Sequence, residues 1–171
     1  VAQNDYQVCI LAPTTVLAKQ HFELFKDRFS EFPYRSCLLT REQTKTEKTE
    51  IYKKIKENHF SIIIGTHALF NKEISFMNLN LLIIDEEHKF GVRQKEQIRS
   101  LKNGINVISL SATPIPRTLN LSLSKVRDIS LITTPPTGRK SVKTIVSRYS
   151  KSLVFEAIQR EFSRDGQVFY L

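Results

Sequence analysis

The stretch Leu79-Asn80-Leu81-Leu82-Ile83-Ile84-Asp85-Glu86-Glu87-His88 decides how this chain is read. Its first six residues form the densest aliphatic run in the sequence, and such a run fits a strand buried on both faces of a parallel sheet. Acids at the carboxyl end of such a strand lie where open α/β sheets bind ligands. Two adjacent acids can then divide the work. One can hold a hydrated Mg²⁺, and the other can orient a water for attack on a phosphate. Any strand can also end in solvated acids, so the remainder of the chain has to discriminate.

Outward from this stretch, strand-like and helix-like segments alternate. Residues 6–12 read as a buried strand. Residues 14–29 read as a helix, with Ala18, Phe22, Phe25 and Phe29 on one stripe. A short strand at 35–39 precedes a highly charged helix at 43–58, whose few apolar residues are Ile51, Tyr52 and Ile55. Further strands are expected at 60–64, 79–84, 107–110 and 129–133. Helices are expected at 92–103, ended by Gly104 in a left-handed conformation, and from Pro116 onward. This alternation predicts an α/β fold built on a three-layer parallel sheet.

The pattern breaks at Thr134-Pro135-Pro136-Thr137-Gly138-Arg139-Lys140, where paired prolines and a glycine mark a linker. Domain boundaries are therefore expected at 1–134, 135–140 (linker) and 141–171. The last segment offers a strand at 144–148, a helix at 151–164 and a strand beginning at 167–171. It reads as the truncated start of a second domain.

Bulk properties narrow the class. The chain has 171 residues, of which 40% are hydrophobic and 25% charged, and carries 26 Lys and Arg against 17 Asp and Glu, a net charge of +9. The basic surplus favours a polyanionic partner, most simply nucleic acid. No apolar stretch reaches the roughly 18 residues of a membrane span, so no membrane partner is expected. Cys9 and Cys37 sit inside apolar strand-like runs and read as reduced core residues of a cytoplasmic protein.

Four polar clusters directly follow expected strands: Ala12-Pro13-Thr14-Thr15, Gly65-Thr66-His67, Asp85-Glu86-Glu87-His88 and Ser111-Ala112-Thr113. In a parallel sheet all strand carboxyl ends share one edge, so the four converge on one rim. That convergence, with the basic surplus, points to a site that handles nucleotide and nucleic acid.

These clusters resemble the motifs of superfamily 2 helicases and translocases. Asp85-Glu86-Glu87-His88 resembles the Walker B, or DExH, box, and Ser111-Ala112-Thr113 the coupling motif III. The stretch from Ala12 to His21 resembles motif Ia, and Gly65-Thr66-His67 a second backbone-contacting motif. The longer strings Leu82 to Arg93 and Ala112 to Leu119 resemble two bacterial families. These are the transcription-repair coupling factors and the RecG-type fork-remodelling helicases. The DEEH form, Val126-Arg127-Asp128-Ile129-Ser130 followed by Thr134-Pro135-Pro136, and the closing Gly166-Gln167-Val168-Phe169-Tyr170-Leu171 favour the former.

The resemblance implies a RecA-like first motor domain, ATP and Mg²⁺ as cofactors, and double-stranded DNA as partner. RNA polymerase and excision-repair proteins would be engaged through other regions. It implies that Asp85 holds Mg²⁺ through water, Glu86 acts as general base, and His88 links the nucleotide site to Ser111, Ala112 and Thr113. Thr14, Thr15, Gly65, Thr66, His67 and Arg117 would contact DNA. For Thr14 a plain helix N-cap is the simpler reading, and the two are compatible. Arg41 lies in Thr40-Arg41-Glu42, where the family carries a Ser-Arg-Phe-like element, and its role stays open. Two rival readings remain, a RecG-type helicase and a basic nucleic-acid-binding module without ATPase activity.

No Gly-x-x-x-x-Gly-Lys-Ser/Thr loop occurs in the sequence. By resemblance it would precede Val1, and its strand would be internal to the sheet. The expected consequence is an open sheet edge. Residues 141–171 are then expected to pack back on the first domain or to pair through 144–148 or 167–171 with an edge. A strand-exchanged dimer is one form of such pairing.

Overall fold

A computed structural model of the chain describes residues 1–101, 104–112, 128–138, 142 and 144–171. Two compact units divide it, Val1–Asn120 and Leu121–Leu171.

In the first unit, five parallel strands make one sheet: β1 (Gln7–Leu11), β2 (Ser36–Leu39), β3 (Ile62–Gly65), β4 (Leu79–Asp85) and β5 (Asn106–Leu110), in the order β2-β3-β1-β4-β5. Three helices join them, α1 (Thr15–Arg28), α2 (Lys45–Lys56) and α3 (Val92–Leu101). Strand alternation sends side chains to two cores. On one face Cys9, Leu11, Cys37, Leu39, Ile63, Leu82 and Ile84 pack with Tyr52 and Ile55 of α2 and Ile98 of α3. On the other, Val8, Ile10, Ile62 and Ile64 pack beneath Ala18, Phe22, Phe25 and Phe29 of α1. The three-layer α/β architecture expected from the alternation is thus present.

Local sequence explains the helix starts. Thr14 caps α1, its hydroxyl accepting from the Leu17 N–H at 3.3 Å. Thr44 and Glu47 form a reciprocal capping box on α2. Gly104, at φ +80°, takes the left-handed conformation expected of it.

Fully buried Gln7 ties the amino-terminal edge of the sheet together. Its Nε2 donates to the carbonyl of Ile55 at 2.8 Å, and its Oε1 accepts from the Asn78 N–H at 3.2 Å. Gly65 is needed for packing. A Cβ there would lie 2.2 Å from the Leu39 carbonyl oxygen, closer than any real contact.

Burial on both faces holds at β1 and β3 but not at β4. Leu82 and Ile84 are buried, whereas Leu81 and Ile83 are half-buried and line a cavity of about 330 Å³ with Phe25, Phe29 and Tyr34. The reason is coverage: α1 lies mainly over β2 and β3 and reaches β4 at that strand's carboxyl end, where His21 meets Asp85. β5 is an edge strand, paired only with β4 among the described residues, and its Ile108 and Leu110 are 47% and 46% exposed.

In the second unit the described regular element is α4 (Lys151–Phe162), with Ser150 as its N-cap. Segments 129–133, 144–148 and 167–171 are not strands, contrary to the sequence expectation. Their apolar residues are β-formers by type, but a strand is made by its ladder hydrogen bonds, and these segments join no ladder among the described residues. The helix expected from Pro116 lies outside the described residues.

Candidate functional site

The carboxyl ends of β1, β3, β4 and β5 carry the four polar clusters, and parallel pairing aligns them along one rim. Asp85 closes β4, in register with Leu110 of β5. By alternation it shares the face of Leu81 and Ile83, toward α1. There its Oδ2 lies 2.9 Å from Nε2 of His21, a residue of α1. Both side chains are largely shielded, 18% exposed for Asp85 and 25% for His21.

Glu86 leaves the strand in a left-handed conformation, φ 50° and ψ 52°, which non-glycine residues adopt at a cost of roughly 1–2 kcal/mol. Several bonds impose it. The Glu86 N–H donates to the Leu110 carbonyl at 3.0 Å, and the Glu86 carbonyl accepts from the Lys89 N–H at 2.8 Å. This turn sends the Glu86 side chain toward the end of β5. Its Oε2 lies 3.3 Å from Nδ1 of His88 and 3.4 Å from the backbone nitrogen of Ala112. The next acid, Glu87, accepts from the Ser109 hydroxyl at 2.8 Å. The acidic box is therefore joined to the segment after β5 through Glu86 and to β5 itself through Glu87, while Asp85 is held from the other side by α1.

Three-ligand groups of His, Cys, Asp and Glu are absent among the described residues. The Asp85 carboxylate at the end of β4 fits Mg²⁺, which keeps most of its water and takes one or two carboxylates alongside phosphate oxygens. It does not fit a dedicated protein cage such as structural zinc needs.

The other expected site residues spread along the rim. Thr14 is exposed and serves as the N-cap of α1, and Thr15 is half-buried in its first turn. His67 is exposed at the start of a single 3₁₀ turn, His67–Phe70. Gly65 and Thr66 are buried, and the Thr66 Oγ1 has no hydrogen-bond partner among the described residues. Ser111 and Ala112 are exposed next to Glu86. Thr113 and Arg117 lie outside the described residues. Arg41 is exposed in the loop after β2, its carbonyl accepting from Lys48 Nζ at 3.2 Å.

Sequence reading missed His21 and Ser109. A signal existed for the first. His21 falls three residues after Ala18 and four before Phe25, on the buried stripe of α1. A polar residue on such a stripe needs a partner.

Comparison with known proteins agrees with this geometry. Residues 1–121 match the model of the DEAD/DEAH box helicase family. The chain is 48% identical over 98% of its length to the transcription-repair-coupling factor of Escherichia coli K12, covering 15% of that protein. It is 49% identical over 96% of its length to the Bacillus subtilis factor, covering 14% of it. It is also 51% identical over 100% of its length to a chloroplastic ATP-dependent DNA helicase of Arabidopsis thaliana, covering 21% of it. Among solved structures, RecG bound to a three-way DNA junction superposes with a TM-score of 0.73 at 34% identity, over 95% of this chain and 22% of that one. The chain thus spans between a seventh and about a fifth of the curated relatives it matches. With its motifs on one rim of a RecA-like parallel sheet, the chain belongs to the DEAD/DEAH box helicase family.

Proposed function

We propose that this chain is the carboxylate-bearing part of a motor that hydrolyses ATP to translocate on double-stranded DNA in transcription-coupled repair. One observation carries the reading. The Asp85-Glu86 pair ends β4, with Asp85 held from α1 and Glu86 turned to the segment after β5. Bound Mg²⁺ would neutralise charge on the phosphates of ATP. Asp85 would hold it through water. Glu86 would orient the attacking water and take its proton. Its contacts with His88 and Ala112 give the segment 111–113 a direct sense of whether Glu86 is engaged. Thr14 and Thr15 at the start of α1, and His67 after β3, would meet DNA phosphates, which positions the protein without reading sequence. Gly65 would serve by letting the backbone approach closely. Arg117 would add a charge.

The domain plan that goes with this reading is a first motor domain over 1–134, a linker over 135–140 and the start of a second motor domain over 141–171. The full-length protein would meet RNA polymerase and excision-repair proteins through other regions. A cytoplasmic site of action accompanies the bacterial relatives. No described helix is long and apolar enough to cross a membrane. A RecG-type fork-remodelling role is the second reading, supported by the superposition at 34% identity. Identity of 48–51% to coupling factors and their chloroplastic relative favours the first.

The test is made on the full-length protein. DNA-stimulated ATP hydrolysis with displacement of a stalled RNA polymerase supports the first reading. Regression of model forks without polymerase displacement supports the second. DNA binding without nucleotide turnover overturns both.

A further inference from the structure

We infer that His21 is a positioning residue for the metal-holding carboxylate of Asp85, acting from α1 across the face of the sheet. This rests on the reading of Asp85 given above and adds to it a residue outside the acidic box.

The argument starts from the helix. His21 occupies the stripe that carries buried Ala18 and half-buried Phe22 and Phe25 of α1, with Phe29 at its C-cap. Burying an imidazole there costs free energy unless its ring N–H is matched. Its partner is Asp85, Nε2 to Oδ2 at 2.9 Å, 64 residues away in sequence. An ionised carboxylate can only accept, so Nε2 is the donor in this pair. The bond engages Oδ2 alone. Asp85 has no other side-chain partner among the described residues, so Oδ1 stays available to a metal-bound water.

Asp85 is the last residue of β4, where ladder bonds no longer hold the chain on one side, and Glu86 immediately turns left-handed. Without His21 the carboxylate could rotate about χ1 and χ2 at the sheet's end. With it, one oxygen is pinned to a helix whose own start is Thr14. Hydrogen-bonded partners of ligating carboxylates orient them, and losing such a partner typically lowers metal affinity about 10–100-fold.

The experiment measures Mn²⁺ binding in the presence of ADP by electron paramagnetic resonance, without turnover, in the full-length protein. His21→Leu should raise the Mn²⁺ Kd by roughly 10-fold or more, with ADP affinity in the absence of divalent metal unchanged. His21→Gln keeps an N–H donor of similar reach and should recover most of the loss. Should His21→Leu fail to fold, His21→Asn, whose amide is too short to reach, replaces it with the same expectation. Asp85→Asn is the control for the underlying reading. If Asp85→Asn loses Mn²⁺ affinity but His21→Leu binds as wild type, the inference about His21 is overturned and the role of Asp85 stands. Equal losses in His21→Gln and His21→Leu, at equal melting temperatures, also overturn it, because the donor is then irrelevant. If Asp85→Asn binds Mn²⁺ as wild type, the role of Asp85 falls and the positioning role with it.

Discussion

Glu86 Oε2 sits 3.3 Å from Nδ1 of His88, two residues on, because the left-handed backbone at Glu86 folds the side chain back across the following turn. The same oxygen reaches Ala112 beyond β5. As the general base proposed above, Glu86 would need its carboxylate charge free at the moment of reaction, so this contact would have to loosen when a water takes its place. Glu86→Gln preserves shape but removes the base. In the full-length protein, ATP binding should persist while hydrolysis falls by about 10²–10⁴. Steady-state turnover near wild type would remove Glu86 from that role.

The 171-residue chain alone should behave differently from the full-length protein. It carries the acidic box but no phosphate-cradling loop, so it should show no measurable DNA-stimulated ATPase activity. In the full-length protein, DNA affinity should show little sequence preference and fall steeply with salt, as phosphate contacts require. Tight binding to one sequence that persists at high salt would contradict the proposed contacts.

Gln7→Leu probes the tie at the opposite edge of the sheet. The substitution leaves the Asn78 N–H without its partner and removes one of the donors to the Ile55 carbonyl, which keeps the Asn58 N–H. An unsatisfied buried group costs about 1–3 kcal/mol. With the Asn78 bond only part-buried, denaturant unfolding should show a loss near the low end, about 1 kcal/mol. A loss below half of that would mean that water replaces the amide.

Gly65→Ala separates packing from phosphate contact. The added methyl would meet the Leu39 carbonyl, which is backbone and cannot swing away. Overpacking of this kind costs typically about 1–3 kcal/mol. Lowered thermal stability is expected whether or not DNA is present. If stability is unchanged and only DNA affinity drops, the close approach between β2 and β3 is not what requires glycine.

The two cysteines give a pH test. Burial pushes the Cys9 thiol up from 9.0 to about 12, and raises Cys37 as well, with Cys9 adding to the effect. At pH 8 both stay protonated and enclosed, so iodoacetamide should modify neither until the chain is unfolded. The native state holds these protons above pH 9 while the unfolded state releases them. Their contribution to stability is therefore intact below pH 9 and declines as pH rises toward 12. Rapid alkylation of the native chain at pH 8 would contradict this burial.

The sheet was legible because its strands announce themselves twice, through aliphatic density and through the polar clusters that end them. The run at Leu79–Asp85 needed no tertiary information. The charged helix expected at 43–58 begins two residues later, at Lys45, because Thr44 and Glu47 form a capping box that the sequence reading did not use. What stayed hidden depends on partners distant in sequence. His21 meets Asp85 only because α1 crosses the face to which β4 turns that acid. Glu86 is left-handed because Leu110 and Lys89 hold its backbone, and no residue-type preference would place a glutamate there. Segments 129–133, 144–148 and 167–171 carry strand-forming residues, and composition alone cannot provide a ladder. The two-sided burial expected of β4 failed for a similar reason, since coverage depends on where α1 ends up.

The order β2-β3-β1-β4-β5 puts the earliest of these strands at the centre of the sheet. During synthesis β1 emerges with five buried residues and neither neighbour yet made. From Leu11 to Asp85 the ribosome must add 74 residues (85 − 11), roughly 4–15 s at ordinary elongation rates. For that interval β1 lacks at least one of the two neighbours that bury it in the sheet. A central strand made before its neighbours leaves apolar surface open to association during synthesis.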